Sequence, residues 1–152
     1  MNTATAGSNE GDPETIVTEL PNGVRVAAIP LPHLQTASVG VFVRAGSAYE
    51  PAALNGVSHF VEHMVFKGTA TRDVHRINLD AERLGAEVNA HTDKDHTAYY
   101  MRGRGEHAAA FVRMLADIVQ HATFPDPEIG REREVLLQEA AEVADDPVDA
   151  AY

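Results

Sequence analysis

His59, Glu62 and His63 fall within one short run, HFVEH, and their types at that spacing could hold a metal ion and use it. On a helix the two histidines stand one turn apart and project from one face, so their imidazoles can converge on a single ion. Glu62 lies between them in angle, placed to hold a water beside the ion without being a ligand. A zinc site built this way still lacks a third protein ligand, and a catalytic one keeps its fourth position for water, whose pKa the metal lowers to about 7. With Glu62 as general base, that water becomes a nucleophile for an amide carbonyl. The competing account is that such a pattern arises by chance, since paired helical histidines are often ordinary hydrogen-bonded residues.

The rest of the composition narrows what such a site could be. The 152 residues include no cysteine, which excludes a disulfide framework, a thiolate nucleophile and any sulfur-bound zinc, so a metal site must use His, Asp or Glu. A net charge of −11, from 23 acidic and 12 basic residues, argues against a nucleic-acid or anionic-membrane partner, both of which need a basic patch. The start, MNTATAGSNEGDPE, has neither the basic nor the apolar run of a secretory signal, and no later stretch is apolar for long enough to span a bilayer. A cytoplasmic protein is expected, with residues 1–15 a disordered tail and 16–152 one domain's worth of chain.

The elements that must position the site follow from periodicity. TIVTELPNGVRVAAIPLP predicts two short strands turning at Pro21-Asn22-Gly23, and TASVGVFVRAGSAYE predicts a third with Val39, Val41 and Val43 on its buried face. From Leu54 the spacing turns helical, with Val57, Phe60, Val61, Met64 and Val65 on one side and Lys67-Gly68 as a basic last turn and stop. A second helix runs from about Asp73 to Leu84, with Ile77, Leu79 and Leu84 in the core. Two strands then turn at Asp93-Lys94-Asp95. A third helix spans 106–121 (Ala109, Val112, Leu115, Ala116, Val119 inward) and a fourth spans 126–143 (Ile129, Val135, Leu136, Leu137 inward). The order is that of an α+β domain, helices packed on a largely antiparallel sheet. The last helix offers Glu128, Glu132, Glu134, Glu139 and Glu142 as candidates for the missing ligand. Periodicity groups Glu132, Glu139 and Glu142 on one face and does not choose among them.

The order H-x-x-E-H is the inverzincin signature. The run from Gly56 to Thr69, GVSHFVEHMVFKGT, closely resembles the active-site helix of the M16 zinc peptidases, the pitrilysin or insulinase family that includes mitochondrial processing peptidases. Its flanks are similar too: LPNGVRV and SVGVFVRAGSAYEP to the opening strands, NAHTDKDHTAYY to a strand pair, and REREVLLQEAAEV to a later helix, so the resemblance runs from about Ile16 to Tyr152. It implies an M16/LuxS-like half-domain, here truncated, acting as a zinc-dependent endopeptidase. By resemblance His59, His63 and Glu139 bind Zn2+, Glu62 is the base, and Glu132 orients a ligand or the base. Asn89 and Ala90 match the edge strand onto which a peptide substrate adds as a further β-strand.

Family members are usually longer, with two related halves or a partner subunit enclosing the substrate, and an arginine and a tyrosine of the second half have no counterpart here. The tail DDPVDAAY resembles the lead-in to a further helix. Gln138 and Ala140 depart from the residues that usually flank the distant glutamate. The expectation is a complete zinc site within an incomplete enzyme that needs a second M16-type domain or subunit. The alternative is a non-catalytic subunit serving as an interaction module. LuxS-type lyases share the helix motif but require cysteine, which this chain lacks. His75, His96, His107 and His121 read as surface residues; His91 is the exception, because strand alternation places it with Glu87, Asn89 and Asp93 on one face of the proposed substrate strand. Lys67 is accounted for by the helix dipole.

Overall fold

The computed structural model describes residues 3–5 and 13–145, in two compact units that divide between Gln35 and Thr36. The smaller unit is an antiparallel three-stranded sheet: β1 (Thr3–Thr5), β2 (Ile16–Glu19) and β3 (Arg25–Ala28), with β2 central. The β2–β3 hairpin turns where Pro21-Asn22-Gly23 predicts it, Gly23 taking φ 84. Thr3–Thr5, expected within a disordered tail, instead pair with Ile16–Thr18, as suits two β-branched threonines in an extended triplet. The other residues before Pro13 lie outside the described part.

The larger unit carries β4 (Thr36–Val43), α1 (Val57–Val65), α2 (Val74–Arg83), β5 (Glu87–Thr92), β6 (Thr97–Arg104), α3 (Ala108–Gln120) and α4 (Asp126–Asp145). Its sheet is antiparallel with order β4-β6-β5, so β6 is paired on both sides and β5 ends the sheet. The class is α+β, with the strands in two sheets rather than one. No described helix is long and apolar enough to cross a membrane. Residues 146–152, which include most of the expected lead-in to a further helix, lie outside the described part.

The core of this unit forms where one face of the sheet meets the helices: Tyr99 and Met101 from β6, Val65 from α1, Ile77 and Ala81 from α2, and Phe111, Met114, Leu115 and Ile118 from α3. Val39, Val41, Val88 and Ala90 pack against it, as strand alternation requires. Several helical core assignments are corrected. Val57, Leu79, Val112, Ile129, Val135 and Leu137 are exposed. In α2 the inward pair is Ile77 and Ala81, one turn apart, which turns Leu79 to the opposite side. Helix α3 is apolar on two stripes, and the one with the larger side chains faces inward.

Two loops fix the entrance to α1. A Cβ on Gly46 would lie 2.3 Å from the Asp93 carbonyl oxygen, so only glycine lets this loop close onto the β5–β6 turn. Gly56 opens α1 at φ 90 without a side chain to cap it, and the remote carboxylate of Glu50 serves instead, accepting from the N–H groups of Gly56 (2.6 Å) and Ser58 (2.8 Å). The Ser58 and Gly56 hydrogen bonds hold the Glu50 carboxyl below its ordinary pKa.

Candidate metal centre

Helices α1 and α4 lie against each other and supply the whole cluster. His59 Nε2 is 3.6 Å and His63 Nε2 3.8 Å from Glu139 Oε2. The three donors lie within 4.8 Å of one another. A tetrahedral zinc with bonds of about 2.0–2.2 Å needs its donors roughly 3.3 Å apart, so modest rotation of these partly buried side chains would close them on an ion. The donor set, two imidazoles and a carboxylate, is one zinc accepts in catalytic sites, and the residues present therefore fit the metal that the sequence implies. The two imidazoles stand edge to face, centroids 4.8 Å apart.

Glu132 lies two turns before Glu139 on α4 and is 6% exposed. Its Oε2 is 3.0 Å from His63 Nδ1, and its Oε1 is 2.6 Å from Lys67 Nζ. With Nδ1 donating to this carboxylate, the Nε2 of His63 is left as the metal-facing atom. Burial pushes the Glu132 carboxyl up, but the hydrogen bonds and charges of Lys67 and His63 outweigh it and hold the group below its ordinary pKa.

Glu62 points to the strand side of α1, where Thr92 on β5 donates to its Oε2 at 2.6 Å. Thr97 spends its hydroxyl proton on the Ala45 carbonyl at 3.0 Å, so Thr92 is free to give its own to Glu62. Tyr99 lies beside this group. Burial first, and the charge of Glu62 second, push its phenol up to about 12, so it stays protonated at neutral pH.

A cleft of about 500 Å³ opens between α1 and β5, lined by His59 and Glu62 on one side and Ala90, His91 and Thr92 on the other. Ala90 thus faces the cleft. Asn89 does not line it, and its Oδ1 accepts from the Ala90 N–H at 2.8 Å, so the two residues proposed from resemblance occupy different positions. The competing glutamates pair elsewhere: Glu128 with Arg131, Glu134 with Arg133, and Glu142 with Gln138. Sequence reasoning missed Thr92, although strand alternation already put it on the inward face with Ala90. It also missed Glu50, which nothing short of the folded loop links to α1.

Residues 25–151 match the family described as Insulinase (Peptidase family M16). The chain belongs to peptidase family M16. Within M16 it is 44% identical over 131 residues to a protein of Arabidopsis thaliana named as a probable mitochondrial-processing peptidase subunit beta, covering 86% of this chain and 25% of that one. It is 37% identical over 136 residues to an uncharacterized zinc protease of Rickettsia felis, covering 90% of this chain and 33% of that one. The M16 chain thus spans about a quarter to a third of the length of these relatives. Its fold is similar to that of a protease from Helicobacter pylori, with TM-score 0.85 and 24% identity over 91% of this chain and 34% of that one.

Proposed function

We propose that this chain carries the metal centre of a zinc-dependent endopeptidase. The observation that carries the reading is the convergence of His59, His63 and Glu139 from two helices, with Glu62 on the same helix facing a cleft along the strand that ends the sheet. Zinc held by these three residues supplies Lewis acidity, polarising a carbonyl and making water more acidic. Glu62 takes the proton that water loses as it adds to the scissile carbonyl, and it returns that proton to the leaving amine. Thr92 fixes one oxygen of Glu62, leaving the other for the transfer. Glu132 sets the imidazole of His63 by accepting from Nδ1.

The substrate in this reading is a peptide adding to β5 by main-chain hydrogen bonds, which explains how one site would tolerate many side chains. Its path along the cleft passes Ala90, and Asn89 would have to release the Ala90 N–H for a strand to pair there. The partner is a second M16-type domain or subunit, a reading supported by the chain's share of its relatives' length and by the subunit named in Arabidopsis thaliana.

The deciding experiment is metal content by mass spectrometry on chain purified without a metal-affinity tag, wild type beside Glu139→Gln. About one zinc per wild-type chain, and clearly less in the variant, supports the site; a folded wild-type chain without metal sinks it. Glu62→Gln should keep zinc and lose hydrolysis, and turnover that survives the change would remove the proposed base.

A further inference from the structure

Lys67 lies four residues beyond His63, in the turn that closes α1, and the two side chains meet one carboxylate on α4. They take different oxygens of it: His63 Nδ1 is 3.0 Å from Glu132 Oε2, and Lys67 Nζ is 2.6 Å from Glu132 Oε1. A lysine placed only for the helix dipole would need no partner at hydrogen-bond distance. This one is three-quarters covered, its side chain 25% exposed, and it is spent on a glutamate whose side chain is 8% exposed.

We propose that Lys67 is a positioning residue for the metal centre, holding the Glu132 carboxylate in the one orientation that aims His63 Nε2 at the ion. A carboxylate bonded through a single oxygen can swing about its last torsion, and only the second bond removes that freedom. Without Lys67, Oε1 is left buried with no donor, so Glu132 turns toward water and releases His63 Nδ1. The imidazole then loses its fixed direction, although none of the three proposed ligands has been touched. The inference rests on the zinc-site reading and goes beyond it, because it assigns a role in metal affinity to a residue outside the ligand set.

The test is a competition titration of the whole chain with Zn2+ against a chromophoric chelator, with the unfolding midpoint of each metal-free variant recorded alongside. Lys67→Met should weaken zinc binding by about 10-fold or more, within the range of 10–100-fold seen when a group orienting a ligand is lost. Glu132→Gln should weaken it comparably, and the double variant should be no weaker than Glu132→Gln alone within about twofold, because both changes break one unit. Lys67→Arg, which keeps charge and donor, should recover most of the affinity, and if Lys67→Met fails to fold, Lys67→Gln carries the test with the same expected loss. A loss of midpoint without a loss of zinc affinity would mean that Lys67 is only a tether between α1 and α4, overturning the inference while leaving the site intact. Losses that multiply in the double variant would overturn it too, and a wild-type chain that binds no zinc would overturn both readings.

Discussion

Thr92 Oγ1 lies 2.6 Å from Glu62 Oε2, so the strand at the end of the sheet holds the carboxylate proposed as general base. Thr92→Val keeps the shape and removes the donor. A hydrogen bond to a charged group is worth about 1.5–3 kcal/mol, and each 1.4 kcal/mol or so is tenfold in rate. Any preparation of the chain that cleaves a fluorogenic peptide should therefore lose roughly tenfold in kcat/KM through Thr92→Val, with zinc content unchanged. An unaltered rate would mean that this bond does not serve the base, and loss of zinc would place Thr92 in the metal site instead.

Glu132, Asp117, Asp80 and Glu50 all have carboxyl pKa values below their ordinary range in the folded chain. For the first three, burial opposes the shift, and the cations and hydroxyls around them outweigh it; for Glu50, the Ser58 and Gly56 bonds act nearly unopposed. A depressed folded value means that the unfolded chain takes up protons first as pH falls. The stability these groups give is present above their unfolded values, near pH 4, and is lost as pH drops through the folded ones. The urea midpoint of the metal-free chain should thus hold between pH 7 and 5 and fall steeply toward pH 3. A midpoint that rose or stayed level below pH 4 would contradict these ion pairs.

Asp117 on α3 gathers the segment after α1. It accepts from Thr69 at 2.8 Å and Thr71 at 3.1 Å and pairs with Arg72, which also reaches Asp80 on α2 at 3.1 Å. Backbone pairing of Thr69 with Arg72 and with Ala122 closes the same loop. Removing the carboxylate takes the acceptor from the Thr69 and Thr71 hydroxyl protons and undoes half the pairing of a mostly covered guanidinium. Asp117→Ala should cost about 2–3 kcal/mol by urea unfolding. A cost under about 0.5 kcal/mol would show that water replaces these partners without loss.

Binding to the folded chain alone would make zinc a stabiliser. At a free concentration one hundred times Kd it adds about 2.7 kcal/mol, or roughly 5–10 °C in melting temperature for a chain of this size. Glu139→Gln should remove most of that rise and Glu142→Gln none of it, because Glu142 is engaged with Gln138. Equal rises in both variants would mean that zinc binds somewhere other than the α1–α4 cluster.

Local spacing made some of this legible beforehand and left the rest open. His59 and His63 could be read as converging because a four-residue separation on one helix needs no knowledge of the fold, and the strand alternation that buries Val88, Ala90 and Thr92 is equally local. The proposed third ligand is a different case. Five glutamates on α4 were candidates, and their separation depends on which face of that helix meets α1, a long-range contact that no periodicity encodes. Resemblance singled out Glu139, and the fold brings it beside both histidines while sending Glu128, Glu134 and Glu142 to other partners. For Lys67 the helix dipole is a sufficient local explanation, and it leaves out the carboxylate that the fold brings to it from another helix. Thr92 was overlooked because a threonine on a strand announces nothing until a helix is laid beside it.

Helix α3 gives the sharpest test of which apolar stripe faces inward. Its sequence offers Ala109, Val112, Leu115, Ala116 and Val119 as one face, whereas the fold turns in Phe111, Met114, Leu115 and Ile118, with Val119 packed beside them. The second set buries more area per residue, and Phe111 and Leu115 reach 0% exposure while Val112 stays 54% exposed. Burying larger side chains is worth more per position, by about 25 cal/mol for each Å² removed from water, so the helix rotates to satisfy them. Phe111→Ala should cost about 3–5 kcal/mol, the range for a large aromatic removed from a packed core, against under about 0.5 kcal/mol for Val112→Ala. Comparable costs at the two positions would mean that α3 sits rotated from the orientation described, and the adjoining placement of Asp117 against Thr69 and Arg72 would fall with it.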